Sequence, residues 1–249
     1  MFFTQDLNGR SLNYPPNEFS LTFDDGPTVG VTEDLAWLLR RELVAATFFV
    51  LGEHANPAAL STVVRCGHRL GNHTFSHQNM DNFRGDHRAE IARQIGDCHE
   101  QIAQFILPRH RIPFRAPGGA WSDTRFSVFA NNLGNADRYI GRYGWDIDAN
   151  DWRLLRRRGH PEKIGFADYC RRFEVALERF RGGIVLLHDG FPKNEAHLDD
   201  PRENRVLDVA RFVIRVMRQR GYRCVPLKEP APWREYLQKA KSRAFGVLT

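Results

Sequence analysis

Seven short apolar runs, at residues 19–23, 47–51, 69–72, 113–116, 139–145, 184–187 and 222–226, constrain the fold more than any other feature of this chain. Each has the length of a strand, and stretches with helical periodicity fall between most of them. Val31, Leu35, Leu38, Leu39 and Leu43 recur every three or four residues. Phe166, Cys170, Phe173, Leu177 and Phe180 do the same, as do Val206, Val209, Val213, Val216 and Met217. That spacing puts each set on one face of an amphipathic helix. Strands alternating with helices predict an α/β fold with a parallel sheet. Seven parallel strands suit a closed or nearly closed (β/α) barrel, with a doubly wound open sheet as the alternative. In both architectures chemistry gathers at the C-terminal ends of the strands. Polar residues stand at those ends here. Asp24 and Asp25 follow the first run, His73 the third, Asp146 and Asp148 the fifth and His188 the sixth, while Arg115 lies at the end of the fourth. Their order predicts one shared site.

Composition narrows the class. No Gly/Ser linker, repeat or low-complexity tract divides the 249 residues, so a single domain spanning 1–249 is expected, with its core at about 18–227. The formal net charge of +6 mildly favours acidic partners. The one dense basic run, Arg153, Arg156, Arg157 and Arg158, reads as a solvated surface, and no nucleic-acid fold signature accompanies it. A nucleic-acid partner is therefore not expected. Cys66, Cys98, Cys170 and Cys224 are widely spaced and form no CxxC pair, which fits buried thiols. No apolar run reaches membrane-spanning length. The first ten residues lack the basic start and apolar stretch of a leader, so a full-length chain of this sequence is expected in the cytoplasm. A polar, charged stretch at 191–205 either shapes a groove or is a solvated loop.

Two adjacent carboxylates at a strand mouth point different ways, because strand side chains alternate. One is then available to a cation and the other to a proton. In Gly71-Asn72-His73-Thr74-Phe75-Ser76-His77, two histidines spaced i, i+4 would share one side of a helical turn. With a carboxylate from Asp24 or Asp25 they make a two-histidine, one-carboxylate set. Three protein ligands leave a position for water, the usual form of a catalytic zinc site. Ile184-Val185-Leu186-Leu187 delivers His188 to a strand end as a candidate general acid. A histidine in that role needs a carboxylate to hold its pKa up, and the stretch Trp145-Asp146-Ile147-Asp148-Ala149-Asn150-Asp151-Trp152 offers several. The flanking indoles suit the flat face of a sugar. Arg115 could orient an ionised Asp, and the Pro117-Gly118-Gly119 turn could turn backbone N–H groups toward an oxyanion.

These motifs resemble, in order and over roughly residues 18–227, the five motifs of the polysaccharide deacetylase family, the nodulation-type chitooligosaccharide deacetylase homology domain. They are Thr22-Phe23-Asp24-Asp25-Gly26-Pro27, His73-Thr74-Phe75-Ser76-His77, Arg115-Ala116-Pro117, Asp148-Ala149-Asn150-Asp151-Trp152 and Leu186-Leu187-His188. The resemblance implies a distorted (β/α) barrel, of seven parallel strands on the reading above. It implies a metal-dependent hydrolase that removes N-acetyl groups from amino sugars of an oligo- or polysaccharide. The implied metal is Zn2+, with Co2+, Ni2+ or Mn2+ as substitutes. By position, Asp24 would be the base, and Asp25, His73 and His77 the metal ligands. His188 would be the acid, Arg115 would orient Asp24, and Asp148 would tune His188. The Gly118 N–H would bind the oxyanion, and Trp152 and Leu186 would line the acetyl pocket. Gly118 is a departure, because the family usually has an aromatic residue there. Two other readings are a deformylase or other amide hydrolase acting on a small or lipid-linked sugar, and an inactive carbohydrate-binding relative.

Overall fold

The computed structural model describes residues 14–80, 88–119, 135–141, 143–156, 159–191 and 205–230. Their order is β1 (Glu18–Asp24), α1 (Val31–Arg41), β2 (Ala46–Val50), α2 (Pro57–Arg65), β3 (Arg69–Asn72), α3 (Arg88–Ile102), β4 (Ile112–Pro113), β5 (Tyr139–Ile140), β6 (Ile147–Asp148), α4 (Asp151–Leu155), α5 (Phe166–Leu177), β7 (Gly183–His188), α6 (Val206–Gln219) and β8 (Arg223–Cys224). All pairings among these strands are parallel. The main sheet has six strands in the order β3-β2-β1-β7-β6, with β8 on β1, and β4-β5 form a separate pair. A bridge from Asn72 to Phe114 joins the two sheets. The circuit runs β6-β7-β1-β2-β3-β4-β5, and no pairing among the described residues closes β5 onto β6. This is a distorted (β/α) barrel.

β1 lies at its centre. One edge pairs with β7 from Phe19 to Asp24, while the other is shared by β8 at Glu18–Phe19 and β2 from Leu21 onward. Alternation then sorts the side chains. Phe19, Leu21 and Phe23 of β1, Phe48 and Val50 of β2, and Val185 and Leu187 of β7 join the large hydrophobic cluster under the helices. Residues between them face the other way: Ser20, Thr22 and Asp24, then Phe49, then Ile184, Leu186 and His188. Phe49 and Ile184 join a second, smaller cluster with Ile140 and Tyr143. Both faces of the sheet are therefore buried, which is why these strands read as near-continuous apolar runs.

The helical spacing is realised in large part, although Phe180 lies beyond the end of α5. In α6, Val206, Val209, Val213, Val216 and Met217 are all buried, and Tyr169, Phe173 and Leu177 are buried in α5. Leu43 departs from its expected place on the α1 face, because α1 ends before it. The Val44 N–H bonds to Leu39 O and the Leu43 N–H to Arg40 O, which puts Leu43 at φ 54 and leaves it 92% exposed. The same cap follows α6, with Gly221 in the left-handed position where glycine costs least.

The expected strand at 139–145 is shortened to Tyr139–Ile140, and a further strand at Ile147–Asp148, beyond the expected range, raises the strand count to eight. The regular ladder stops at Ile140, Gly141 turns at φ 74, and the Tyr143 N–H bonds back to Phe114 O at 2.8 Å. The carbonyls of Tyr143 and Gly144 accept hydrogen bonds from Arg115 rather than from a neighbouring strand. The 113–116 strand is likewise shorter than expected, at Ile112–Pro113. Cys66 and Cys98 are buried, Cys170 and Cys224 half-buried, and all four thiols are free. No described helix is long and apolar enough to cross a membrane. Residues 192–204 of the polar loop, Arg157, Arg158 and the N-terminal stretch 1–13 lie outside the described residues.

Candidate active site

Asp24 ends β1 on the inner face and is buried. Its Oδ1 accepts a 2.7 Å hydrogen bond from Nη1 of Arg115, which is itself fully buried. Arg115 also donates to Thr22 Oγ1 at 2.9 Å, Tyr143 O at 3.3 Å and Gly144 O at 2.9 Å. Its guanidinium lies 4.2 Å from the Phe49 ring centroid and 5.7 Å from that of Trp145. A buried cation is costly unless it is paired and its donors are satisfied. Arg115 is paired with Asp24 and finds three further acceptors.

Asp25 adopts φ 70, a left-handed conformation that L residues rarely take. Its Oδ1 lies 3.3 Å from His73 Nε2 and 3.4 Å from His77 Nε2. His73 and His77 meet across a turn, contrary to the expected helical spacing. Thr74 and His77 have φ 74 and 56, and the backbone from 73 to 77 is not helical. Side chains fold this loop. Asn72 Oδ1 accepts from the Thr74 N–H, and buried Gln94 of α3 accepts from the Phe75 and Ser76 N–H groups.

The donor set fits a divalent cation. His73 Nδ1–H donates to Arg115 O at 2.8 Å, so Nε2 turns a lone pair toward Asp25. Asp25 Oδ1 is buried and has no hydrogen-bond partner among the described residues. The three ligand atoms lie within 4.8 Å of one another. Two ligands about 2.0–2.1 Å from a tetrahedral zinc are about 3.3 Å apart, which matches both Asp25–His separations. Burial works to raise the Asp25 carboxyl, but His73 and His77 hold it well below the usual carboxylate range. Burial lowers His77 despite Asp25. Burial also pulls at His73, but Asp24 and Asp25 outweigh it and the net direction is up.

His188 ends β7 directly beside Asp24 in the β1–β7 register. Its Nδ1 lies 2.8 Å from Asp151 Oδ1, and its backbone N–H donates to Asp151 Oδ2 at 2.7 Å. Asp151, and not the expected Asp148, is the carboxylate bonded to His188. Asn150, at φ 58, turns the chain between the two acids. Asp148 Oδ1 is used locally, accepting from the Asn150 N–H at 2.6 Å. Burial acts first to depress His188, but Asp151, with Asp25 and Asp24 behind it, raises it to about 10. Burial pushes Asp148 up as well.

Asp24, Asp25, His73, His77, Asp148 and His188 share a cavity of about 280 Å³. Small-molecule sites usually start near 300 Å³. Gly118, Trp152 and Leu186 line it as expected, together with Trp145, Arg156 and Phe191. Gly118 has φ 60, and no described residue lies within 4 Å of where its side chain would begin, so Gly118 itself supplies no aromatic wall at that point. Arg156 and Phe191 carry no local motif that marks them as pocket residues. Asp189 directly follows His188 but does not line the cavity. It is buried, and burial raises its carboxyl to about 7 against the Thr32 hydrogen bond.

The barrel and the acid–histidine cavity at its strand ends define the class: a β/α-barrel protein with a candidate metal-binding site. Polysaccharide deacetylase is the family whose profile matches residues 12–135. A chitooligosaccharide deacetylase of Azorhizobium caulinodans is 34% identical over 229 residues, spanning 88% of this chain and 98% of the relative. A peptidoglycan-N-acetylglucosamine deacetylase of Bacillus cereus is 29% identical over 219 residues, spanning 86% of this chain and 89% of the relative. The solved structure of a family 4 carbohydrate esterase from Streptomyces lividans, in complex with acetate, superposes with a TM-score of 0.60 at 25% identity, covering 87% of this chain and 98% of that one. The chain belongs to the polysaccharide deacetylase family.

Proposed function

We propose that the protein is a metal-dependent hydrolase that removes N-acetyl groups from amino sugars of an oligo- or polysaccharide. The observation that carries this reading is the convergence of Asp25, His73 and His77 in one cavity with Asp24 and His188. One relative is a deacetylase of chitooligosaccharide and another of peptidoglycan N-acetylglucosamine, which supports an amino-sugar substrate.

Asp25, His73 and His77 would hold the ion, with Zn2+ the first choice. When bound, it supplies Lewis-acid polarisation of the amide carbonyl and acidifies water. Asp24 is the base. Arg115 occupies its Oδ1, which leaves Oδ2 to take the proton of the attacking water. His188 is the acid. With Nδ1 on Asp151, Nε2 gives its proton to the leaving nitrogen as the C–N bond breaks. The Gly118 N–H faces the developing oxyanion, while Trp152 and Leu186 enclose the acetyl methyl. Each proton-transfer group is worth about 10²–10⁴ in rate.

The test is acetate release from chitooligosaccharides and peptidoglycan fragments, before chelation, after it, and after zinc is restored. Loss and recovery of acetate release are expected. Zinc-loaded protein that releases no acetate from any N-acetylated glycan would exclude the proposed activity.

A further inference from the structure

We infer that Asp189 is a positioning residue that locks the Asp24–Asp25 turn onto the end of β7 and so holds the proposed base and metal ligand in register with the proposed acid. This rests on the functional reading above. Asp189 does not line the cavity, so it acts through its neighbours. Its backbone N–H donates to Asp24 O at 3.1 Å. Its carboxyl group lies flat on Gly26, where an added Cβ would come within 2.2 Å of Oδ2. That same oxygen accepts a 2.6 Å hydrogen bond from Thr32 Oγ1, and the hydroxyl in turn accepts from the Thr28 N–H at 2.8 Å. One buried side chain thus ties both ends of the loop from Gly26 to Thr32.

The fit continues at the next residue. A Cβ on Gly190 would lie 2.4 Å from Asp25 O, so the β7 end abuts the backbone of the metal-ligand residue. Asp25 itself is held at φ 70, and such a conformation persists only where its surroundings over-determine it. His54 Nδ1–H on Asp25 O and the Leu51 N–H on Gly26 O brace the far side of the turn. Asp189 braces the side facing His188. Without it, Gly26 faces a hole, Thr32 loses its acceptor, and the Asp25 carboxylate is free to swing away from His73 and His77.

The experiment measures zinc affinity by competition with a chromogenic chelator, kcat and KM on a chitooligosaccharide, and Tm, for wild type, Asp189→Ala, Asp189→Asn and Thr32→Val. Asp189→Ala and Thr32→Val should each lower zinc affinity and kcat by about 10–100-fold, the range for partners of metal ligands, with KM little changed. Asp189→Asn keeps an acceptor for Thr32 and the volume over Gly26, so it should stay within about threefold of wild type. Thr32→Val keeps the test alive should Asp189→Ala fail to fold. Wild-type zinc affinity and kcat in a folded Asp189→Ala or in Thr32→Val, with only Tm lowered, would reduce the residue to a packing role and overturn the inference. Equal damage from Asp189→Asn and Asp189→Ala would overturn it too. Wild-type protein that binds no zinc would remove the proposed function and this inference with it.

Discussion

The proposed base and the proposed acid stand side by side on β1 and β7, and each is held by a buried partner of opposite charge, but the roles are inverted. At Asp24 the reacting group is the carboxylate and the support is a cation, Arg115. At His188 the reacting group is the potential cation and the support is a carboxylate, Asp151. Arg115 is fixed by further hydrogen bonds to Thr22, Tyr143 and Gly144. Asp151 grips both the ring and the backbone of His188. The base half is therefore held by a support with several fixed contacts. On the proposed mechanism the acid half would set the alkaline limit of activity.

The largest effect should come from removing what the two halves share. Asp25→Ala should abolish zinc binding and lower kcat/KM beyond about 10⁴-fold, as metal analysis and acetate release would show. Zinc retained at one ion per chain would contradict Asp25 as a ligand. Asp24→Asn should keep zinc and lose about 10²–10⁴ in kcat. Full turnover in that variant would move the base elsewhere.

Breaking the acid half should change a pH profile as well as a rate. His188 is held at about 10, so its proton stays in place through neutrality and the alkaline limb should fall only near that value. Asp151→Asn should lower kcat by about 10² and carry the limb down toward the ordinary histidine range near 6.5. Stability follows the same sign. A histidine whose folded pKa lies above its unfolded value contributes fully below about 6.5, and that contribution disappears as pH rises through about 10. Thermal melts across this window should therefore show a larger fall in wild type than in Asp151→Asn. An unmoved limb in Asp151→Asn would break the comparison. The smallest effect should be that of Asp148→Asn, under about tenfold in kcat and with no shift of the limb, because its carboxylate bonds the Asn150 backbone. A limb shift in Asp148→Asn larger than in Asp151→Asn would restore the first assignment.

Much of the architecture was legible in residue order. Apolar runs of strand length alternating with helical faces specify an α/β fold with a parallel sheet, because both signals arise from burial within a few residues of chain, but they leave barrel and open sheet both standing. The adjacent carboxylates Asp24 and Asp25, the pair His73 and His77, and His188 after four apolar residues could be read for the same reason: each stands at a strand end. Contacts between distant elements could not be read this way. Which of two acids meets His188 depends on a left-handed turn at Asn150, and the pairing spans 37 residues. The two histidines share a face through a turn built on Asn72 and Gln94, where spacing alone suggested a helix. Arg115 takes the carbonyls that would have continued the fifth strand, and Asp189 presses on Gly26 from another strand end. Periodicity reports which side of an element is buried. It says nothing of which polar group will satisfy a donor arriving from across the barrel, and that depends on the assembled backbone.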